Sequence, residues 1–448
     1  MHPQRHQLQR VFAPPSRLPQ LTWRDGSHDW VHAMAFARAA GRIDLARSYA
    51  RRGFSGIDGE SVERQSHPLG QEWLVWFQLG LTSLASGELQ RATEEFATAS
   101  GYATRAPGDG PSAAVRLTFG YRALVAALLG ATTAASNHLA RAQGTPEKVG
   151  GFAWSLLATT RALVDVEENT PESHDAIAAL ELIDDPEPFW ACILLAQTRY
   201  AELHGLAVDS LALIERAESR YRPEIGSFAY DILVARRVEA LVILGRLAAA
   251  RATYNDKATD SPHCRVAQLG LLCAEHNFGV LERETEAVLG LPSLAPAQRV
   301  QAQALGAMGL YGRDGAIPDY LSPGIGFALS QRRHRRIALM FPPFMRDALA
   351  PHLLAETFEE WERSKITIRL WSKLDAKALA LTPRELALLR HIDHDLSSRE
   401  IAAREHVSIN TVKTQLKSLY RKLGVSTRAE AVARGRRSNL LEQAGDLS

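Results

Sequence analysis

The chain has 448 residues, 46% hydrophobic and 23% charged, with a formal net charge of +2. That is room for two or three domains of ordinary globular composition. It offers no run of about eighteen apolar residues for a membrane span, no apolar signal core after Met1-His-Pro-Gln-Arg, and only Cys192, Cys264 and Cys273 for disulfides, too few and scattered for a framework. The expectation is a cytoplasmic protein with no membrane partner.

Residues 1–20 mix Pro, Gln and Arg with few apolar positions and read as a flexible N-terminus. From 21 to 362 the chain is rich in Ala and Leu, poor in strand signals, and repeats a phrase. Gly41-Arg-Ile-Asp-Leu-Ala-Arg-Ser-Tyr-Ala, Gly87-Glu-Leu-Gln-Arg-Ala-Thr-Glu-Glu-Phe-Ala and Gly245-Arg-Leu-Ala-Ala-Ala-Arg-Ala-Thr-Tyr recur. Weaker versions begin near Gly130, Thr170, Gly205 and Gly279, at intervals of roughly 35 to 46 residues. A more apolar helix precedes the phrases, at 72–85, 115–129, 152–164, 189–204 and 228–244. Each unit therefore reads as helix, glycine-marked turn, helix. One such pair cannot bury its apolar face alone, so the pairs are expected to stack into an all-α solenoid whose concave face suits a peptide, protein or small effector. An irregular all-helical domain is the alternative. The alanines after each glycine allow close helix approach, and Tyr49, Phe96 and Tyr254 would fill the grooves between helices. Trp73, Trp76, Trp154 and Trp190 fall in apolar helices and read as core.

His263, Cys264, Cys273 and His276 look at first like metal ligands. On one helix, however, Cys264 and Cys273 would lie on opposite faces, about 13 Å apart along the axis. Cys273 and His276 alone are too few for structural zinc. Buried cysteines beside capping or surface histidines are the expectation. No serine–histidine–aspartate arrangement stands out, although a triad assembled in three dimensions would be invisible here. No enzyme activity, metal or cofactor is expected.

Residues 363–380, with Lys365, Lys373 and Lys377, read as a linker whose lysines could also touch phosphate. Residues 381–437 then carry successive helix-start signals. Thr382, Pro383 and Glu385 suit a capped first helix with Leu386, Leu389 and Ile392 inward. His391 and His394 fall on its polar face and end. Ser397 with Glu400 is a capping box for a short helix holding Ile401 and Ala402. Ser408 caps a third, Ile409–Leu423, with Gly424 as its stop, and Thr427 with Glu430 is a further capping box. The few residues around His406–Ser408 make the second and third helices a helix-turn-helix, whose second helix enters a DNA major groove. With Val412, Leu416, Leu419 and Leu423 inward, Lys413, Thr414, Lys417 and Arg421 lie on the other side. Lysine reads guanine edges and a threonine methyl touches a thymine methyl; Arg421 and Lys422 suit phosphates. The segment holds twelve Lys and Arg against six Asp and Glu, so the rest of the chain is mildly acidic and the basic charge gathers here, as in a DNA-binding module. Residues 438–448 read as a flexible tail.

These residues resemble the LuxR-type, or NarL/FixJ-type, helix-turn-helix domain. The Leu-Thr-x-Arg-Glu start, Glu-Ile-Ala centre, Ser-x-x-Thr-Val-Lys recognition helix and Lys-Leu-x-Val-x-x-Arg-x-x-Ala end are all present. The resemblance implies base contacts from Lys413, Thr414 and Lys417 and phosphate contacts from Ser398, Arg399, Thr411, Ser418 and Arg421. It also implies double-stranded DNA and RNA polymerase as partners, and a homodimer on inverted half-sites formed through the helix from Arg428 to about Arg436. Three positions depart from the pattern. Asp395 replaces a usual glycine, in a turn aspartate tolerates. Glu405 replaces a usual leucine, which would loosen the turn. Gln415 replaces a frequent histidine. The array resembles a degenerate tetratricopeptide-like array, and array plus domain resemble the C-terminal portion of MalT-like large ATP-binding regulators, with 325–354 as its last helices. These 448 residues hold no Gly-Lys dipeptide and so no phosphate loop, and no receiver-domain pattern precedes the array. The expected function is a DNA-binding transcription regulator controlled by an effector or partner on the array, or by assembly through it. The alternative is a scaffold whose C-terminal domain binds protein.

Overall fold

The computed structural model describes residues 27–54, 72–105, 113–143, 151–183, 186, 188–314, 322–329, 331–341, 381, 383–423, 427–437 and 441. The N-terminus and tail expected to be flexible (residue 441 apart), the expected linker, Thr382, Gly424 and the stretch from 342 expected to end the array lie outside them. Contacts gather the chain into two compact units. One comprises Met1–Asp165, Pro171–Ala196 and Arg216–Leu233; the other Val166–Thr170, Gln197–Glu215 and Val234–Ser448. All regular structure among the described residues is helical.

The helices are α1 (Ser27–Ala39), α2 (Ile43–Phe54), α3 (Glu72–Ala85), α4 (Leu89–Arg105), α5 (Ala113–Leu128), α6 (Thr132–Ala142), α7 (Phe152–Glu168), α8 (Ser173–Ala179), α9 (Trp190–Leu203), α10 (Ala207–Arg220), α11 (Phe228–Ile243) and α12 (Leu247–Lys257). They continue with α13 (Pro262–Ala274), α14 (Phe278–Leu289), α15 (Pro296–Asp314), α16 (Ser322–Leu329) and the short α17 (Arg335–Leu339). The C-terminal segment holds α18 (Pro383–Asp393), α19 (Ser398–Arg404), α20 (Ile409–Leu423) and α21 (Arg428–Arg437). The apolar stretches expected at 72–85, 115–129, 152–164, 189–204 and 228–244 are α3, α5, α7, α9 and α11.

In the first unit α1 packs on α2 and α3, α3 on α4 and α5, and α5 on α6. In the second, α13 packs on α14 and α15, and α15 on α16 and α17. The leading helix of a pair thus meets both its partner and the next leading helix, which is how stacked helix pairs share one core. The two kinds of helix differ accordingly. In α4 the buried Leu89, Ala92, Phe96, Ala99 and Ala103 recur at helical spacing, with Arg91 and Glu94 exposed. In α5 nearly every residue from Thr118 to Leu128 is buried, the pattern of a helix covered on all sides. Phe96 fills a groove as expected: its ring stacks on Tyr121 at 5.3 Å and meets Phe77 at 5.6 Å. Gly80 makes the room, since a Cβ there would stand 2.7 Å from that ring. Tyr49 is also buried. Trp73, Trp76 and Trp154 pack against the core of the same unit, and Trp190 stacks on Tyr221 with centroids 4.5 Å apart.

One turn explains the repeated phrase. At Gly87 the N–H donates to the Leu84 carbonyl (3.0 Å) and the Glu88 N–H reaches back to Ser83 (2.9 Å), satisfying carbonyls that a helix end otherwise leaves free. Gly41, Gly130, Gly205 and Gly245 repeat this pair of bonds, all with φ between +71° and +79°. Such a φ crowds a Cβ, hence glycine. Near Gly279 the turn is made by His276, φ +59°, with the same bonds to Cys273 and Leu272, and Gly279 itself lies inside α14. Near Thr170, Asn169 has φ +48° and donates its N–H to the Val166 carbonyl at 3.3 Å.

The second unit holds charge inside it. Arg236 meets Glu202, Glu239 and the Thr198 hydroxyl, the last at 2.9 Å. Arg336, in α17, donates its Nε to Glu167 of α7 at 2.8 Å, and Arg199 approaches the same carboxylate oxygen at 3.4 Å. Burial works against the ionised carboxylate, yet Arg336 and Arg199 outweigh it and hold Glu167 below the usual carboxylate range. The suspected metal ligands have other roles. His263 Nδ1 lies 3.0 Å from the Gln298 side-chain nitrogen, and Cys264 and Cys273 are buried and in no disulfide, the Cys264 sulfur accepting from the Thr259 hydroxyl at 3.8 Å.

Candidate nucleic-acid interface

Caps set the frame of the C-terminal domain. The Ser397 N–H donates to Glu400 Oε2 at 2.7 Å and the Glu400 N–H returns to Ser397 Oγ at 3.3 Å. These bonds, the side-chain one first, hold the Glu400 carboxyl below its ordinary range. Thr427 and Glu430 make the same exchange, both bonds 3.2 Å. The Ser408 hydroxyl accepts the Thr411 N–H at 3.1 Å and lies 2.8 Å from the Thr411 hydroxyl. Each of these starts follows the sequence signal.

Leu388, Leu389, Ile392, Ile401, Ala402, Val412, Leu416, Leu419, Leu423 and Ala431 form one buried cluster among α18–α21. Two left-handed residues turn the chain between these helices, Asp395 (φ +58°) after α18 and His406 (φ +51°) after α19. Aspartate at the first is tolerated as expected. The expected loosening at Glu405 is corrected: its carboxylate meets His391 Nε2 at 2.8 Å, so the substitution replaces an apolar contact with a polar tie from α18 to the turn. His391 is accordingly half-buried, while His394 is exposed. Two further ties escaped the sequence reading. Ser418 donates to Glu385 at 3.2 Å, joining α20 to α18. Arg428 donates to the carbonyls of Leu396 (2.9 Å) and Ile392 (3.0 Å), closing the end of α18 from the start of α21. One sequence signal pointed there: a cation in the first turn of a helix opposes the helix dipole and needs a partner elsewhere.

With Val412, Leu416, Leu419 and Leu423 turned in, Lys413, Thr414 and Lys417 are exposed together on the opposite side of α20. The Thr414 hydroxyl donates to the Asn410 carbonyl at 2.9 Å, leaving its lone pairs and methyl as what it offers. Arg399 and Thr411 are exposed and Ser398 is half-buried. Ser418 and Gln415 are half-buried at the margins of the face. The Arg421 and Lys422 side chains lie outside the described residues. A rigid helix with amines and a methyl-bearing hydroxyl on its outer face can donate to base edges and contact a thymine methyl.

Residues 379–434 match the family described as bacterial regulatory proteins, luxR family. The C-terminal domain is a LuxR-family domain. Over 54 residues, 12% of this chain and 26% of the relative, it is 54% identical to a probable transcriptional regulatory protein SgaR of Hyphomicrobium methylovorum. Over 97 residues, 22% of this chain and 41% of the relative, the chain is 37% identical to a probable transcriptional regulatory protein NarL of Mycobacterium tuberculosis. The chain thus spans about a quarter to two fifths of the length of these relatives. A crystal structure of a tetratricopeptide repeat protein from Parabacteroides merdae superposes with a TM-score of 0.35 and 13% identity, covering 63% of this chain and 98% of that one. Within the LuxR-family domain, the residues of the Ser-x-x-Thr-Val-Lys motif are the Ser408 cap, the Thr411 amide it receives, the inward Val412 and the outward Lys413.

Proposed function

We propose that the chain is a sequence-specific DNA-binding transcription regulator in which α20 reads the major groove. The observation that carries this is the outward grouping of Lys413, Thr414 and Lys417 on the second helix of a helix-turn-helix. Lys413 and Lys417 donate to guanine O6 and N7, and the Thr414 methyl meets a thymine methyl. Ser398, Arg399, Thr411 and Arg421 hold phosphates and set the register without reading sequence. Ser418 joins them by exchanging Glu385 for a phosphate oxygen, since its one proton goes to Glu385 in the free domain. A homodimer formed through α21 would place two copies of α20 in successive major grooves, about 34 Å apart, leaving the outer surfaces of the domains for RNA polymerase. The helix pairs carry the control, taking an effector or partner or directing assembly.

The test is duplex binding by the full chain at a site selected from random DNA. Lys417→Ala is expected to weaken binding by about 1–3 kcal/mol and to relax preference at one base position, with the helical circular dichroism unchanged. An unchanged footprint and affinity would contradict the placement of α20.

A further inference from the structure

On the reading that α20 enters the major groove, we infer that Asn410 is a further specificity-determining residue and that it reads an adenine. Asn410 is the second residue of α20 and is exposed. At 3.6 residues per turn it lies within about 20° of Lys417 around the helix, and about 40° and 60° from Thr414 and Lys413. It therefore sits in the middle of the outward face, while Val412, Leu416, Leu419 and Leu423 are on the far side.

No local duty explains it. Ser408, not Asn410, receives the Thr411 amide that caps the helix. The backbone carbonyl of Asn410 accepts the Thr414 hydroxyl, but its side-chain carboxamide has no hydrogen-bond partner among the described residues. Asparagine is a poor helix former that favours caps and turns. Here it stands exposed inside the first turn.

Helical side chains lean toward the N-terminus, so Asn410 covers the leading end of α20, the part that meets base edges in this kind of docking. A carboxamide is also the group matched to adenine: its oxygen accepts the N6 amino hydrogen while its nitrogen donates to N7. Asn410 would thus add an adenine to the guanine and thymine contacts of Lys413, Thr414 and Lys417, about one helical turn ahead of the first two and two turns ahead of the last.

The experiment uses the full chain and the duplex it selects from a random pool. Each adenine of the half-site is replaced in turn by 7-deazaadenine, which lacks the N7 acceptor. At one adenine the wild type is expected to lose about three- to tenfold in affinity, the worth of one hydrogen bond. Asn410→Ala should bind the unmodified duplex about 5- to 150-fold more weakly, accept other bases at that position, and show no 7-deaza penalty there. Asn410→Asp, which cannot donate to N7, should lose the adenine preference while the domain melts as the wild type does. The inference is overturned if Asn410→Ala keeps full affinity and preference, if it weakens every duplex equally, or if the 7-deaza penalty survives it. Failure of the underlying reading looks different: the wild type then selects no duplex, and Lys417→Ala changes nothing.

Discussion

Arg428 shows what single residues do in the C-terminal domain. Its guanidinium bonds two carbonyls at the end of α18, and bonds from a charged donor are worth more than neutral ones. Arg428→Ala is expected to destabilise the domain by about 1–3 kcal/mol, read as a lowered midpoint for residues 375–448 in thermal melting followed by circular dichroism. A midpoint within error of the wild type would mean that water replaces the guanidinium at no cost. Leu419, 0% exposed, should cost more on truncation to alanine, about 2–5 kcal/mol. At this scale the sequence was legible where partners are local. Ser397 with Glu400 and Thr427 with Glu430 stand three residues apart, so their caps could be read directly. His391 with Glu405 and Ser418 with Glu385 are 14 and 33 residues apart, and nothing in one dimension brings them together. The same gap made Glu405 look like a defect.

Among elements, the turns carry the argument. Five of the pair-closing turns use glycine at positive φ. At Gly87 a Cβ would meet nothing within 4 Å, so Gly87→Ala isolates the conformational cost from any clash. The expected loss is about 1–2 kcal/mol, seen as a lower thermal midpoint; an unchanged midpoint would show that the left-handed φ is not required. The helix pairs were legible because glycine marks these turns and apolar helices precede them. The pair α13–α14 gave only a weak phrase because His276 does glycine's work there, leaving no glycine at the turn itself. The contact between α17 and α7 was invisible for another reason. Arg336 and Glu167 are 169 residues apart, and both read as surface residues by type. Removing that carboxylate by Glu167→Ala would leave the Arg336 and Arg199 guanidiniums buried without it, at an expected cost of about 3–5 kcal/mol. Chemical denaturation with a probe in α17 measures this, and a cost near zero would show that water already shares the site.

For the whole molecule, the buried ionisable groups predict an acid limb. His263 accepts a hydrogen bond from Gln298, and burial, then Arg199 and Arg236, push its pKa down to about 3. The folded chain therefore keeps this ring neutral while the unfolded chain protonates it below its ordinary value near 6.5. Stability is full above pH 6.5 and falls as pH drops from there toward 3, by up to about 1.4 kcal/mol per unit for one such group. Glu167, held low, adds its own loss at the bottom of that range. Replacing His263 by Gln should flatten the limb between pH 6.5 and 4.5 in denaturant titrations; an unaltered slope would assign it to other groups.

In the proposed function the C-terminal domain meets DNA, and the helix pairs before it are proposed to govern when it does. The central claim is that the outward face of α20 binds duplex DNA, and its most direct measurement is the affinity of the full chain for its selected duplex as a function of salt. Counterion release predicts that log K falls linearly with log salt, with a slope near −0.9 for each phosphate neutralised. Lys417→Ala should weaken binding at the selected site more than at random duplex. No duplex affinity at low salt, or an affinity indifferent to both salt and Lys417, would contradict the account.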